Sequence, residues 1–264
     1  MNARLLLSTL PAAIRERIFY RLLNSRQKHF PELFSSAPLM LAPHLKMKNL
    51  IVGDVISGQI AFNGFYELAL SKEIHRLSKA GGLFLDVGAN LGYFSLLWAS
   101  GSSFNKIVAV EASPRNQDAI NQTFRANNLQ DRITLIKKAA GAENKKTSFT
   151  LGPQDQTGWG GIDFGVSGWN SIEVEMIRLD SYFGRDVTID VMKIDVEGAE
   201  TLVLTGCERL LVNHQIKTIF FEQNKSRMSR LGIGAEEAQL VLRKNGYTVE
   251  RFGSSDGEWV AQIR

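Results

Sequence analysis

The stretch that most narrows the fold is Leu83-Phe84-Leu85-Asp86-Val87-Gly88-Ala89-Asn90-Leu91-Gly92, a compact apolar run that ends in a glycine turn and leads into helix-length sequence. A buried strand entering a helix through glycines is the first βα turn of a nucleotide-binding sheet. The rest of the body repeats the alternation. Short apolar runs fall at Lys106–Val110, Ile133–Lys137, Val191–Ile194 and Thr218–Phe221, and the helix-length segments are Leu91–Ala99, Pro114–Asn127, Ala199–Val212 and Ala235–Asn245. Strands separated by crossover helices predict a doubly wound α/β fold with a mostly parallel sheet. Two earlier runs, Ile51-Val52 and Ile60–Phe62, also read as short strands. The last two strands, Tyr247–Phe252 and Glu258–Ile263, are joined only by Gly253-Ser254-Ser255-Asp256-Gly257. That leaves no room for a crossover, so they must form an antiparallel hairpin.

Composition sets the outer limits. The chain has 264 residues, 44% hydrophobic and 22% charged, which is ordinary for a globular protein and excludes a disordered tail or a coiled coil. No apolar run approaches the roughly 18 residues of a membrane span. Cys207 is the only cysteine, so no intramolecular disulfide forms, and four scattered histidines (His29, His44, His75, His214) argue against structural zinc. Residues 1–50 carry eight Lys/Arg against two acids, and the remaining 214 residues carry 23 against 25. The basic balance therefore belongs to the lead, and the slightly acidic body argues against nucleic acid as a partner. Over Ala12–Leu23, Ile14, Ile18, Phe19, Leu22 and Leu23 recur at helical spacing, with Arg15, Arg17 and Arg21 off the stripe. Residues 1–50 are thus expected to be a basic helical extension ahead of a cofactor-binding domain at 51–264. The lead either packs on the body with a wet basic face or lies as an amphipathic helix on an anionic membrane. Leu5-Leu6-Leu7 makes a poor secretion signal, since Pro11 and arginine follow closely. The expected location is cytoplasmic, with peripheral membrane contact as the alternative.

The chemistry begins at the first turn. Gly88 allows close backbone approach and Gly92 tight helix packing, and the N–H groups of the turn, Ala89 and Asn90 included, are expected to face a ligand. The Asp-x-Gly-x-x-x-Gly spacing lacks the glycine pair that admits a pyrophosphate. Asp86 places a carboxylate where a diphosphate would be repelled and a cation welcomed. Glu111 ends the second strand 23 positions after Gly88, the place from which an acid reads a ribose diol. Together these features point to S-adenosylmethionine. Ala112, beside Glu111, and Ala140, in the small-residue segment Lys137–Gly141, are candidates for the adenine site.

These residues resemble a known family. Leu85–Ser95 looks like the first motif of the FkbM family of S-adenosylmethionine-dependent methyltransferases, and Val110-Glu111-Ala112-Ser113-Pro114 is similar to its second, although a proline commonly follows the glutamate directly. Met192-Lys193-Ile194-Asp195-Val196-Glu197-Gly198-Ala199-Glu200, followed by Leu204-Thr205-Gly206-Cys207, resembles the pattern Lys-x-Asp-x-Glu-Gly-x-Glu then Leu-x-Gly-Ala, with Cys207 departing from the alanine. Phe65-Tyr66-Glu67 and Ile219-Phe220-Phe221-Glu222 fit the family's early Tyr-Glu and the acid after its fifth strand. The resemblance spans about residues 60–225. It implies a class I methyltransferase fold with a seven-stranded, Rossmann-like sheet. It also implies O-methylation of a hydroxyl on a sugar, glycolipid, polysaccharide or secondary metabolite.

The acidic segment also reads physically. Asp195 emerges at the carboxyl end of a buried strand, where open α/β sheets bind ligands. Methyl transfer to an alcohol needs the hydroxyl aligned and relieved of its proton. Asp195 or Glu197 is placed to do this, and Glu200 reads as a helix-capping acid. The alternative is that two or three acids hold a divalent cation, which is not favoured. Lys193 shares a strand face with Asp195 and either ties the strand end or orients the acid. Tyr66, Glu67, Trp159 and Glu222 are candidate substrate contacts, Trp159 from the glycine- and tryptophan-rich stretch Gly152–Asn170. Three rival readings remain. One is methylation of RNA or protein, against which stand the acidic body and the lack of an Asn/Asp-Pro-Pro-aromatic motif. Another is an NAD-dependent oxidoreductase, disfavoured by the missing glycine pair. The third is a binding module without catalysis. Nothing in the sequence encodes the acceptor or the oligomeric state.

Overall fold

The computed structural model describes residues 3–162, 168–253 and 257–263. Seven strands build the central sheet: β1 Leu83–Val87, β2 Lys106–Val110, β3 Ile133–Ile136, β4 Ile189–Ile194, β5 Ile216–Glu222, β6 Tyr247–Arg251 and β7 Glu258–Ile263. Their spatial order is β3-β2-β1-β4-β5-β7-β6. Every pair is parallel except those made by β7, which runs antiparallel to β5 and to β6. The expected terminal hairpin is therefore present. Its strands do more than close an edge, because β7 inserts between β5 and β6. The turn residues Ser254–Asp256 lie outside the described residues.

Chain order reverses between β1 and β4. The crossovers from β1 to β2 to β3 step one way and those from β4 onward step the other, which opens a crevice at the carboxyl ends of β1 and β4. The helices that matter for it are α1 Val55–Asn63, α2 Leu68–Ser78, α3 Tyr93–Gly101, α4 Pro114–Ala126, α5 Glu200–Thr205 and α6 Glu237–Lys244. One face of the sheet packs Phe84 under Trp98 of α3, with stacked rings 5.3 Å apart. The other face packs Leu85, Met192 and Ile219 with Leu204 of α5 and Leu242 of α6.

Three local expectations are corrected. Ile51-Val52 leads into a turn and forms no strand, and Ile60–Phe62 is helical, not extended. Asp54 caps α1 by accepting the Ser57 N–H at 2.8 Å, and Gly64 ends the helix in the left-handed region. Residues 199–212 form two short helices, Glu200–Thr205 and Glu208–Val212, not one. On either side of the stretch Gly152–Asn170, Lys145–Thr150 and Ser171–Ile177 pair antiparallel and join Ala139–Ala140 and Gly161–Ile162 in a second, four-stranded sheet. This sheet walls one side of the crevice.

The lead folds against the body. Ala12–Ile18 is α-helical, and the chain then widens into a π-turn at Phe19–Leu23. That change of pitch rotates the apolar positions out of a single stripe. Phe19 is fully buried against Phe62, whereas Ile14 and Leu22 are exposed, contrary to the expected common face. Arg15 turns inward, its Nε and Nη2 donating to the Leu10 and Ser8 carbonyls. Gly58 of α1 makes the contact possible, since a Cβ there would stand 2.7 Å from the Phe19 ring. Further on, Ser36–Pro38 and Lys46–Lys48 form a two-stranded ribbon that docks on α4, where Asn127 both accepts from Lys46 N–H and donates to its carbonyl. Phe19→Ala should therefore cost about 3–5 kcal/mol in urea unfolding, as removal of a core aromatic does, while Phe104→Ala on the surface should cost less than about 0.5. Equal effects would contradict the lead's place in the core.

Candidate functional site

The crevice holds a cavity of about 230 Å³ bounded by Gly88, Asn90, Glu111, Ala112, Ala140 and Asp195, and roofed by Gly152–Gly161. Its floor depends on one close approach. Beyond the paired strands, the Asp195 N–H still donates to the Val87 carbonyl at 3.0 Å. A Cβ on Gly88, whose φ is +76°, would lie 1.9 Å from the Asp195 carbonyl oxygen. Only glycine fits there.

The turn does not offer its N–H groups to a ligand as expected. Gly88 and Ala89 both donate to the Val110 carbonyl, at 2.9 and 3.1 Å, and Asn90 donates to Glu111 Oε2 at 2.8 Å. Glu111 Oε1 accepts from Ser113 N–H at 2.8 Å. The turn thus binds the Glu111 carboxylate and aims it into the cavity, where a pyrophosphate would find spent donors and a negative charge. Burial pushes Glu111 up to about 7 despite those two N–H bonds. Asn90 Oδ1, Ser113 Oγ and Asn116 Oδ1 are buried around the cavity without a hydrogen-bond partner among the described residues. Buried polar atoms of this kind are normally satisfied, so these call for a polar ligand.

Several candidates fall behind the wall, not on it. Asp86 is buried on the α3 side of β1 and its Oδ2 accepts from Ser95 Oγ at 2.6 Å, so it cannot touch a ligand in the cavity. Ala89 is held under the turn, and Gly92 packs on Ile120 of α4. Lys193 stands level with Asp86 on the neighbouring strand. Its ammonium lies 2.9 Å from Asp195 Oδ2 and 5.0 Å from the Phe94 ring centre, below the cavity. Burial alone would lower it, but Asp195, Glu67 and Asp86 outweigh burial and raise it above the ordinary lysine value. Trp159 points outward and rests on Trp169 at 5.9 Å between ring centres. Tyr66, Glu197 and Glu222 do line the cavity with Asp195. Glu67 lies just behind Tyr66.

Around Asp195 the carboxylates crowd. One oxygen each of Glu67, Asp195 and Glu222 lies within 4.8 Å of the others, a spacing that admits a divalent cation, although the Lys193 ammonium already supplies positive charge there. Asp195 first, then burial, raises Glu222 to about 7. Burial, followed by the charge of Asp195, raises Glu197 to about 8 against the opposing Arg227, 2.8 Å away. Burial raises Glu67 to about 8. Glu67, Asn90 and Glu197 all have positive φ, at 43°, 51° and 58°. Non-glycine residues held in this way cost of order 1 kcal/mol or more each and cluster at working sites.

Sequence reasoning missed the roof and its supports. Thr157 donates through N–H and Oγ1 to the buried Asp54 carboxylate at 3.0 and 3.1 Å. Arg115 reaches the carbonyls of Pro153, Gln154 and Gln156, and Asn116 that of Thr157. The signal was present in part, since Arg115 and Asn116 open the helix directly after Glu111.

The Methyltransferase FkbM domain matches residues 86–249 of the chain. Solved structures similar to it include the O-methyltransferase from Bacillus cereus in complex with SAH, 15% identical over 98% of this chain and 100% of that one, with a TM-score of 0.47. Others are M. capricolum TrmK in complex with S-adenosyl-homocysteine (12% identical, 74% and 67% covered, TM-score 0.43) and precorrin-6y C5,15-methyltransferase from Geobacter metallireducens GS-15 (14%, 73% and 88%, 0.41). No curated protein sequence matches.

Two outcomes test this geometry. Gly88→Ala should weaken S-adenosylhomocysteine binding by more than about tenfold by calorimetry, because an αL backbone and a carbonyl both oppose the new methyl, while Gly184→Ala, in open space, should leave it unchanged. The raised carboxyls Glu67, Glu111, Glu197, Glu200 and Glu222 hold protons more tightly folded than unfolded. Their contribution is complete below the unfolded value and is lost as pH rises through about 7–8. The ligand-free protein should therefore melt lower at about pH 8.5 than at about pH 6; a higher midpoint at the alkaline end would contradict the burial of these groups.

Proposed function

The chain belongs to the FkbM methyltransferase family, and from that membership we propose that this S-adenosylmethionine-dependent methyltransferase acts on a hydroxyl of a sugar, glycolipid, polysaccharide or secondary metabolite. The residues suit the cofactor. Glu111 presents a carboxylate at the end of β2 for the ribose hydroxyls, and the unpartnered atoms of Asn90, Ser113 and Asn116 surround the same space. Ala112 and Ala140 line the cavity with small apolar side chains that leave room for adenine. When bound, S-adenosylmethionine supplies an electrophilic methyl on a sulfonium.

The observation that carries the acceptor reading is the ring of carboxylates at Asp195. The cavity wall there carries Asp195, Glu197 and Glu222, whose carboxyl oxygens can accept from a hydroxyl donor. Asp195 Oδ2 is committed to Lys193. Its other oxygen takes the acceptor's hydrogen bond and aligns the hydroxyl, and alignment of this kind is a large share of the barrier in a two-substrate displacement. Glu222, held at about 7 and within 4.8 Å, is tuned to take up the released proton near neutral pH. Lys193 does not touch the acceptor. It is a positioning residue that holds the Asp195 carboxylate in place through their 2.9 Å ion pair. Tyr66 lines the cavity with Asp195, and burial, followed by the charge of Glu67, raises its hydroxyl well above the ordinary tyrosine value.

Labelled methyl transfer across a panel of sugars, glycolipids and polyketides tests this reading. An O-methyl ether among the products is expected, whereas label recovered only in RNA or protein would overturn it. With an accepted substrate, Asp195→Asn should cut turnover by at least about a hundredfold, within the usual range for a proton-handling group, and change the S-adenosylhomocysteine Kd by less than about threefold. Full turnover would remove Asp195 from the chemistry.

A further inference from the structure

The helical lead, expected either to pack on the body or to lie on a membrane, buries Phe19 but exposes Ile14 and Leu22. Among the described residues, large apolar side chains at the surface are few, and three fall within nine positions of the lead: Ile14 at 45%, Tyr20 at 53% and Leu22 at 53% exposure. Arg17, Arg21 and Arg26 are exposed on the same helical run. None of the three has a carboxylate within ion-pair range among the described residues. Tyr20 is tied to the body at its hydroxyl, which accepts from Nε2 of the buried Gln59 at 2.6 Å, and its exposed ring lies along the surface. The run is anchored beneath by the buried Phe19, so the face is held, not frayed.

We propose that this exposed run docks the enzyme on an anionic bilayer, with Ile14 and Leu22 entering the headgroup boundary and the three arginines pairing with lipid phosphates. Charge complementarity selects this occupant. The lead is strongly basic and the rest of the chain slightly acidic, so an anionic plane attracts one side of the molecule only. Apolar and cationic side chains interleaved along one exposed helical run suit an interface in which chains lie below phosphates. A second copy of the protein would set arginine against arginine.

The face is also coupled to the site. The helical run continues to the buried Gln27, which accepts from Gly53 N–H at 2.8 Å and donates to the Asp54 carbonyl at 3.3 Å. Asp54 in turn holds Thr157 in the cavity roof. Docking would therefore set the cavity at a fixed distance from the lipid plane.

Flotation of the full-length protein with vesicles of phosphatidylcholine alone, or mixed with phosphatidylglycerol, tests the proposal. Binding is expected only to the mixed vesicles, and it should fall as salt rises. The double variants Arg17→Glu with Arg21→Glu, and Ile14→Ser with Leu22→Ser, should each reduce binding by about tenfold or more without shifting the melting temperature. Exposed positions make such variants compatible with folding, and unchanged S-adenosylhomocysteine affinity would show the site intact. Failure to bind mixed vesicles would overturn the proposal. So would binding unaltered by both variants, capture of an RNA duplex in place of vesicles, or a dimer disrupted by the same substitutions.

Discussion

Two parallel strands that leave the sheet in opposite topological directions end side by side, and the hydrogen-bonded pairing of β1 with β4 continues one step past the strands themselves. The Asp195 N–H reaches Val87, and Gly88 leaves the space its carbonyl needs. Everything in the cavity is referred to that contact. It fixes where the glycine turn departs, hence where Asn90 can pin Glu111, and where Asp195 projects. Glu111, proposed for the ribose, and Asp195, proposed for the acceptor, come from different strands, yet their relative position is set by backbone bonds on a single sheet edge.

The charge around Asp195 follows from the same edge. In-register parallel strands bring Lys193 level with Asp86, and the two-residue period puts Asp195 on the same face. One buried ammonium therefore sits among carboxylates from β1, β4 and the Tyr66-Glu67 corner. A lone buried lysine would lose its proton, but the surrounding acids keep it charged. That arrangement leaves more acid than base, and the surplus is held as raised Glu67, Glu197 and Glu222. A site of this kind accepts hydrogen bonds from several hydroxyls without needing each carboxyl ionised.

What the sequence disclosed and what it withheld have physical reasons. Strands β1, β2 and β7 were legible to the residue, because apolar runs bounded by Gly, Glu or charged pairs admit little else. The antiparallel terminal pair followed from the short connection alone. Asp86 was misplaced because strand-end position was read without its face: it points toward Ser95 in the core and not into the crevice. Ile60–Phe62 looked extended because three apolar residues in a row have no period; the Asp54 cap and Gly64 stop, present in the sequence, were the better guide. Trp159 was read from composition, which cannot say which way a ring turns. The π-turn at Phe19–Leu23, which exposes Ile14 and Leu22, had no signal in the pattern, since a helical wheel assumes a constant pitch. The roof was invisible because Asp54 and Thr157 meet only through tertiary structure, 103 positions apart.

The most direct test is a crystal structure of the protein grown with S-adenosylhomocysteine. The ribose hydroxyls should lie within hydrogen-bond distance of Glu111, with adenine between Ala112 and Ala140 and the sulfur facing the Asp195 side of the crevice. A ligand seated elsewhere, or an ordered β1–β4 crevice in which Glu111 contacts no ribose at saturating ligand, would contradict the account.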